Sequence, residues 1–483
     1  MKLISKHNID IGLFLFFMAT FFVVTNSDST SPLFHTRCLD SGIFQYMGYV
    51  ITQGKIPYTD LFDHKGLILY FLNAFGILIN KQWGVLLLQI INMTLVLLVW
   101  YKGLIMVKNQ VVRLTIIPIS LVCLYHCYSG GNLTEDWSLL FISYPIMRYI
   151  RNVELKKSQF ENIELIAIGL CMSVVTMIRV NNVAPMLGVL IWSALVAIKN
   201  KEYQYLYKSV ALIFAGWAIP ILICMLYMYV MNGEQGLYDM LFANLLFNIS
   251  YNIDHAAPPY DMDYVKFIYK ILLPVPFIIF FCYKRRSYLF PLLIGYAITL
   301  LTMGGIKFHH YLIVFLPLIV YSIGVVKGRY QIILMLLCVL FNIKTFYKQF
   351  SPEHFSLSHE NTSAKFGELL RSIPEYERNN VWSYNGAFLL KEYINNNFVQ
   401  CNRLFLPWQM DISDGLKSTE CNKLIREHPK YIIFAEYTED WMNKSSRNSG
   451  EEMDRKFMLD NYMVFSSTSF EDGTKVYCYK IKE

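Results

Sequence analysis

The sequence predicts a polytopic α-helical membrane protein of about eleven transmembrane helices, followed by a small α/β domain outside the membrane. Three observations lead there. The chain is 55% hydrophobic and only 16% charged, with a mean hydropathy of +0.35. Long apolar runs recur from Ile11 to Phe346. Beyond Lys348 the composition changes to mixed charge with short alternating runs, which divides the chain into a membrane region, 1–347, and a terminal domain, 348–483.

The first apolar run, Ile11 to Val24, follows Lys2 and Lys6 and is not succeeded by a small-residue cleavage site, so it reads as an uncleaved first helix. The spans predicted from hydropathy are 9–25, 83–101, 113–128, 137–150, 163–179, 182–198, 209–230, 264–283, 288–304, 310–326 and 330–347. Lys and Arg collect at every second connection: Lys102, Lys108 and Arg113; Arg148, Arg151, Lys156 and Lys157; Lys199, Lys201 and Lys208; Lys284, Arg285 and Arg286; Lys327 and Arg329. The positive-inside bias therefore puts the amino terminus in the cytoplasm and the carboxyl terminus outside. The loop 26–82, the turn 130–136, the loop 231–263 and the turn 304–309 all fall on the external side.

In the terminal domain, Tyr431-Ile-Ile-Phe434, Tyr462-Met-Val-Phe465 and Lys475-Val-Tyr-Cys-Tyr479 read as strands, with helical stretches around 366–373 and 388–395. The net charge of +7 is explained by anionic inner-leaflet lipids, so membrane lipids are the expected partners and nucleic acid is not. GxxxxGK[ST], GxGxxG and HExxH are all missing from the sequence, which disfavours nucleotide hydrolysis and zinc-protease chemistry. Among the external cysteines Cys38, Cys401, Cys421 and Cys478, a Cys401–Cys421 disulfide is one of the pairings open in an oxidising compartment.

The densest polar segment follows the first span: Asp40-Ser-Gly-Ile-Phe-Gln-Tyr-Met-Gly-Tyr, then Gly54-Lys-Ile-Pro-Tyr-Thr-Asp60 and Asp63-His64-Lys65-Gly66. Ile43, Tyr46, Met47, Val50 and Ile51 recur at helical spacing, predicting an amphipathic helix lying on the membrane. Asp40 either caps that helix or meets an acceptor hydroxyl. The same choice recurs at three further places. In Gly130-Gly-Asn-Leu-Thr134-Glu135-Asp136, Thr134 caps a helix with two acids at its positive end, or Glu135 and Asp136 hold a sugar or a divalent metal. Arg179, in Arg179-Val-Asn-Asn182, snorkels to the headgroups or binds a lipid phosphate through its fork. In Gly304-Gly-Ile-Lys307-Phe-His309-His310-Tyr311, the polar residues anchor the interface or hold a phosphate. The loop 231–263, with Asn248, Tyr251, Asp254, His255 and Pro258-Pro259, is long enough to serve as a lid.

Asp-x3-Phe-x3-Gly, Gly-x-x-Pro-Tyr-x-Asp and His-Lys-Gly ahead of an apolar helix resemble the GT-C fold lipid-dependent glycosyltransferases. The likeness is to the branch that contains protein O-mannosyltransferases, aminoarabinose transferases and related bacterial membrane sugar transferases. It covers roughly residues 9–347 through helix order, topology and the external first loop, and its motifs are moderately specific. The chain departs from the pattern at Leu67, where relatives often carry proline.

The resemblance implies that Asp40, matching the loop aspartate of that branch, is the catalytic base. It further implies a bacterial inner-membrane enzyme acting on the cell envelope, on lipopolysaccharide, another surface polysaccharide or protein. The donor would be a polyprenyl-phosphate sugar, its phosphate held by Arg179, Lys307, His310 and Lys65. Asp60, Asp63, His64, Glu135 and Asp136 would contact the sugar or the acceptor, which is a glycan, a glycolipid or a protein. Direct displacement would invert the anomeric carbon. Two other readings share many of these features: a flippase for lipid-linked sugars, against which no internal repeat is visible, and a surface-glycan polymerase or ligase.

Overall fold

The computed structural model describes residues 6–34, 39–125, 127–249, 268–303, 308–349, 360–384, 390–403, 423–424, 426–436, 457–470 and 473–482. The membrane region consists of α1 (Lys6–Asn26), α2 (Leu39–Thr52), α3 (Leu67–Ile79), α4 (Gly84–Gly103), α5 (Gln110–Tyr125), α6 (Thr134–Glu154), α7 (Asn162–Thr176), α8 (Ala184–Lys199), α9 (Tyr203–Leu241), α10 (Pro274–Cys282), α11 (Arg286–Thr302), α12 (Leu316–Val325) and α13 (Arg329–Gln349). Five described helical segments are long and apolar enough to cross a membrane, and six shorter apolar helices accompany them. Exposed Phe17, Leu78, Phe214, Leu226 and Leu340 mark surface suited to lipid.

Between such helices apolar burial gives little preference, so close backbone approach matters more. α7 and α9 meet through Gly169 and Gly216, where an added Cβ would lie 2.1 Å from the Ile213 carbonyl oxygen and 2.3 Å from that of Ile166. At one end of the bundle, Glu161 and Glu164 form a capping box that starts α7. At that end also, the Tyr205 hydroxyl accepts from the Phe160 amide at 2.8 Å and Tyr149 donates to the Ser287 carbonyl at 2.8 Å. The opposite end collects the start of α2, the loop before α3, the start of α6, the α7–α8 connection and the 3-10 turn His309–Phe315.

The terminal region adds α14 (Glu360–Arg371), β1 (Val381–Tyr384), α15 (Leu390–Asn395), β2 (Tyr431–Glu436), β3 (Tyr462–Ser469) and β4 (Lys475–Ile481). The strands form one sheet in the order β1-β2-β4-β3, with β1 parallel to β2 and the other pairs antiparallel. The strands and both helices predicted from the sequence are present.

Three differences matter for the site. The helix α2 does not rest its apolar face on lipid: Ile43, Tyr46, Met47 and Val50 are buried in a core that also contains Trp382, Tyr393 and Ile432 of the terminal region. The Tyr46 hydroxyl donates to the Phe398 carbonyl at 3.3 Å and accepts from the Gln400 amide at 2.8 Å. Second, the expected loop 26–82 contains the additional apolar helix α3, packed on α2. Third, the expected loop 231–263 is helical through Phe247. α9 continues past a break at Asn232 and Gly233 into a π-helical turn, Phe242–Phe247. Tyr251, Asp254, His255, Pro258 and Pro259 lie outside the described residues.

Candidate active site

The loop 53–66 places the first set of polar groups. Asp60 Oδ2 accepts from the Ile56 amide at 2.8 Å and closes the Gly54–Asp60 turn. Tyr58, at φ 64°, turns inward and donates its hydroxyl to the Lys65 carbonyl at 2.8 Å. Gly66 then docks on the end of α7: its amide donates to the Ile178 carbonyl at 3.1 Å, and an added Cβ would lie 1.8 Å from the Met177 carbonyl oxygen. Only a residue without a side chain allows that approach, which carries Lys65 up to Arg179. Gly66→Ala is therefore expected to cost at least the roughly 1–3 kcal/mol typical of overpacking, measured as lost thermal stability of the purified protein.

Asp63, His64 and Lys65 form a chain. The Tyr70 hydroxyl donates to Asp63 Oδ2 at 2.8 Å and accepts from the Lys65 amide at 3.0 Å. His64 Nδ1 stands 3.3 Å from Asp63 Oδ1, while Nε2 meets the Lys65 ammonium. Burial and the neighbouring Lys65 charge push His64 down to about 4, so the imidazole is neutral and accepts from Lys65. Burial opposes charge on Asp63, but His64, Lys65 and Tyr70 outweigh it and hold the carboxyl well below its usual range. Burial, with Arg179 alongside, also lowers Lys65, and Asp63, Asp40 and Glu135 pull it back up.

A base with a depressed folded value stabilises the fold above its unfolded value of about 6.5, and that stability is lost as pH falls toward 4. The His64 contribution amounts to about 3 kcal/mol at 1.36 kcal/mol per pKa unit. Unfolding free energy should therefore rise between pH 4 and 6.5, and His64→Gln should flatten that rise in denaturant titrations.

The second set surrounds Arg179. Its Nη1 donates to Glu135 Oε1 at 2.6 Å, and its guanidinium lies 3.7 Å from the Tyr311 ring centroid. Glu135 is 1% exposed, and its other oxygen accepts from the Thr134 hydroxyl at 2.8 Å. Thr134 therefore does not cap α6: Leu133 occupies that position and the threonine hydroxyl bonds Glu135. Arg179 does not snorkel free either, because it is paired and mostly buried. His310 and Tyr311 lie within electrostatic reach of Asp40, as does Lys65. Asp40 sits half-buried in the first turn of α2.

Asp136 does not join this group. It accepts from the Tyr128 hydroxyl at 3.3 Å, the Asn132 amide at 3.2 Å and Gln89 Nε2 at 3.5 Å. Thr30 bonds the same Gln89, and Asn132 donates to the Ser41 carbonyl at 3.3 Å and to Asn73 Oδ1 at 3.0 Å. The network fastens the residue next to Asp40 to α3, α4 and α6. Glu135 and Asp136 thus face different partners. Among the described residues no three His, Cys, Asp or Glu side chains converge on a metal position. Lys307 and Cys421 lie outside the described residues, and with Cys421 the Cys401–Cys421 pairing.

Between the end of α7 and the last turns of α9 runs a cavity of about 270 Å³. Met177, Ile178, Trp217, Ile221, Met225 and Leu245 give it apolar walls, and Lys65, His64 and Arg179 stand in its lining. Asn248 reaches it from the π-helical end of α9 and donates to the His64 carbonyl at 2.9 Å. Tyr70, Tyr58 and Trp217 were not singled out from the sequence. The Pro-Tyr-x-Asp turn signalled Tyr58, whereas Tyr70 and Trp217 are indistinguishable there from other aromatic residues of apolar helices.

No family model matches the sequence, and no curated protein does either. Solved structures do. The chain is similar to ArnT from Cupriavidus metallidurans in the apo state, at 9% identity and a TM-score of 0.61 over 97% of both chains. It is similar to the same protein bound to undecaprenyl phosphate, at 10% identity and a TM-score of 0.59 over 98% of both. The Archaeoglobus fulgidus oligosaccharyltransferase aligns at 11% identity and a TM-score of 0.46, over 98% of this chain and 75% of that one. The likeness to ArnT shows the fold: a polytopic membrane protein of GT-C type.

Proposed function

We propose that this chain is a membrane glycosyltransferase that moves a sugar from a polyprenyl-phosphate donor to a hydroxyl of a glycan, glycolipid or protein outside the cytoplasmic membrane of a bacterium. The observation that carries the reading is the cavity whose walls are apolar and whose lining holds the cations Lys65 and Arg179, with Lys65 within electrostatic reach of Asp40. An isoprenoid suits such walls and a phosphate suits the two cations. ArnT, a protein of similar fold, has been solved bound to undecaprenyl phosphate, which supports this reading.

In the proposed reaction the acceptor oxygen forms a bond to the anomeric carbon while the bond from that carbon to the phosphate oxygen breaks. Asp40 takes the acceptor proton, and the configuration inverts. The polyprenyl phosphate leaves with both bonding electrons. Its charge is met by Lys65, whose ammonium His64 orients, and by Arg179, which Glu135 and the Tyr311 ring hold in place. His310 stands beside these groups. Asp63 acts through His64, and Asp60 shapes the loop that carries both.

The direct test is reconstitution of the protein in vesicles with a radiolabelled polyprenyl-phosphate sugar and a crude envelope acceptor. Release of polyprenyl phosphate coupled to a new glycosidic bond is the expected outcome. Movement of the intact lipid-linked sugar across the bilayer with no new bond would replace this reading by a flippase.

A further inference from the structure

One wall of the cavity is a segment separated from its own helix. α9 breaks at Asn232 (φ −148°, ψ 25°) and Gly233 (φ 58°, ψ −145°), then resumes. The Gly233 conformation is one that residues with a Cβ scarcely adopt. Beyond the break, Met240, Leu241, Asn244, Leu245 and Asn248 line the cavity. The position of this segment sets the width of the groove.

The segment is tied down by Asp239, which is 4% exposed. Its Oδ2 accepts from the Thr59 hydroxyl at 2.7 Å, Oδ1 accepts from Gln235 Nε2 at 2.8 Å, and Oδ1 stands 3.4 Å from the Arg403 guanidinium. Arg403 comes from the terminal region. Its Nε donates to the Tyr58 carbonyl at 2.7 Å, and its own carbonyl accepts from the Phe62 amide at 2.7 Å. The preceding Asn402 exchanges two hydrogen bonds with the Ser383 backbone of β1, both at 2.9 Å. A continuous set of contacts therefore runs from the sheet through Arg403 to the wall of the groove.

We infer that Asp239 and Arg403 form a latch through which the terminal domain sets the position of the α9 wall and hence the affinity for the lipid donor. The inference rests on the reading of the cavity as the donor site. Because coupling between sites is reciprocal, any acceptor whose binding moves Arg403 changes donor affinity by the same factor that the donor changes acceptor affinity. Asp239 and Arg403 are positioning residues, with no part in the bond changes.

The test uses the full chain in lipid nanodiscs, comparing wild type with Asp239→Asn, Arg403→Ala, Arg403→Lys and the double variant Asp239→Asn/Arg403→Ala. Each of the first two should raise KM for the polyprenyl-phosphate sugar about tenfold, within the range of ordinary coupling energies, with kcat changed less than about twofold. Arg403→Lys should recover most of the loss, and the double variant should be no worse than the worse single one. Amide hydrogen exchange over residues 234–248 should quicken in both single variants with no lipid present. Unchanged exchange there, or losses in KM that multiply in the double variant, would overturn the latch. A wild-type protein that binds no polyprenyl phosphate would overturn the donor reading, while exchange over 234–248 still decides the latch.

Discussion

Asp40→Asn should lower sugar transfer by about 10²–10⁴-fold, the range that a positioned general base contributes, and leave folding and donor binding intact. The expectation follows from how the carboxylate is held. Among the described residues, no hydrogen bond or ion pair ties its oxygens, so removing the charge breaks no structural contact. Its position is secured by the backbone next to it: the Ser41 carbonyl accepts from Asn132 at 3.3 Å and from Gln45 at 3.3 Å, and the Ser41 hydroxyl is bonded by Ser29. The variant separates chemistry from binding when transfer, thermal stability and polyprenyl-phosphate affinity are measured on one preparation. Undiminished transfer would remove Asp40 as the base. A collapse of stability would restore it to a structural role at the start of α2.

The second large effect belongs to Arg179 and Glu135. Arg179→Ala leaves a carboxylate that is 1% exposed without its cation, and breaking a buried pair from one side costs about 3–5 kcal/mol. Stability and donor affinity should fall together. The double variant Arg179→Ala/Glu135→Ala removes both charges, so stability should return toward wild type while donor affinity stays low. That divergence distinguishes a phosphate ligand from a purely structural ion pair. If affinity recovers along with stability, the arginine acts only by satisfying Glu135, and Lys65 alone would meet the phosphate.

The parts of this molecule governed by local patterning were legible in the sequence. Apolar runs at membrane length, alternating basic loops and short alternating strands anticipated most of the helices and all four strands except β1. Lys65 and Arg179 could each be placed on the same side of the membrane from charge patterning. Their approach depends on Gly66 fitting against the Met177 carbonyl, a contact between segments over a hundred positions apart that no periodicity encodes. Long-range packing also explains the misreadings. α2 looks amphipathic because one face is apolar, and a sequence does not say whether lipid or protein covers it. Glu135 and Asp136 look like a pair because they are adjacent, yet successive helix positions point about 100° apart, and here they serve separate networks. The stretch after 230 reads as a loop because the apolar run of the predicted span ends there; apolar residues beyond the break at Asn232 and Gly233 rebuild the helix on the far side.

The shared core of α2 and the terminal region bears on how such proteins can be recombined. Tyr46 lies against Tyr393 with ring centroids 5.6 Å apart, and its hydroxyl bridges backbone at Phe398 and Gln400. α2 carries Asp40 at one end and supplies the floor beneath the terminal domain along its length. A chimera that exchanged only residues after 348 would set a foreign domain on a surface shaped for this one and disturb the helix that begins with Asp40. The transplantable module is discontinuous: α2, the loop to Gly66 and α3 would have to travel with the terminal domain, while the remaining helices stay behind as a common chassis.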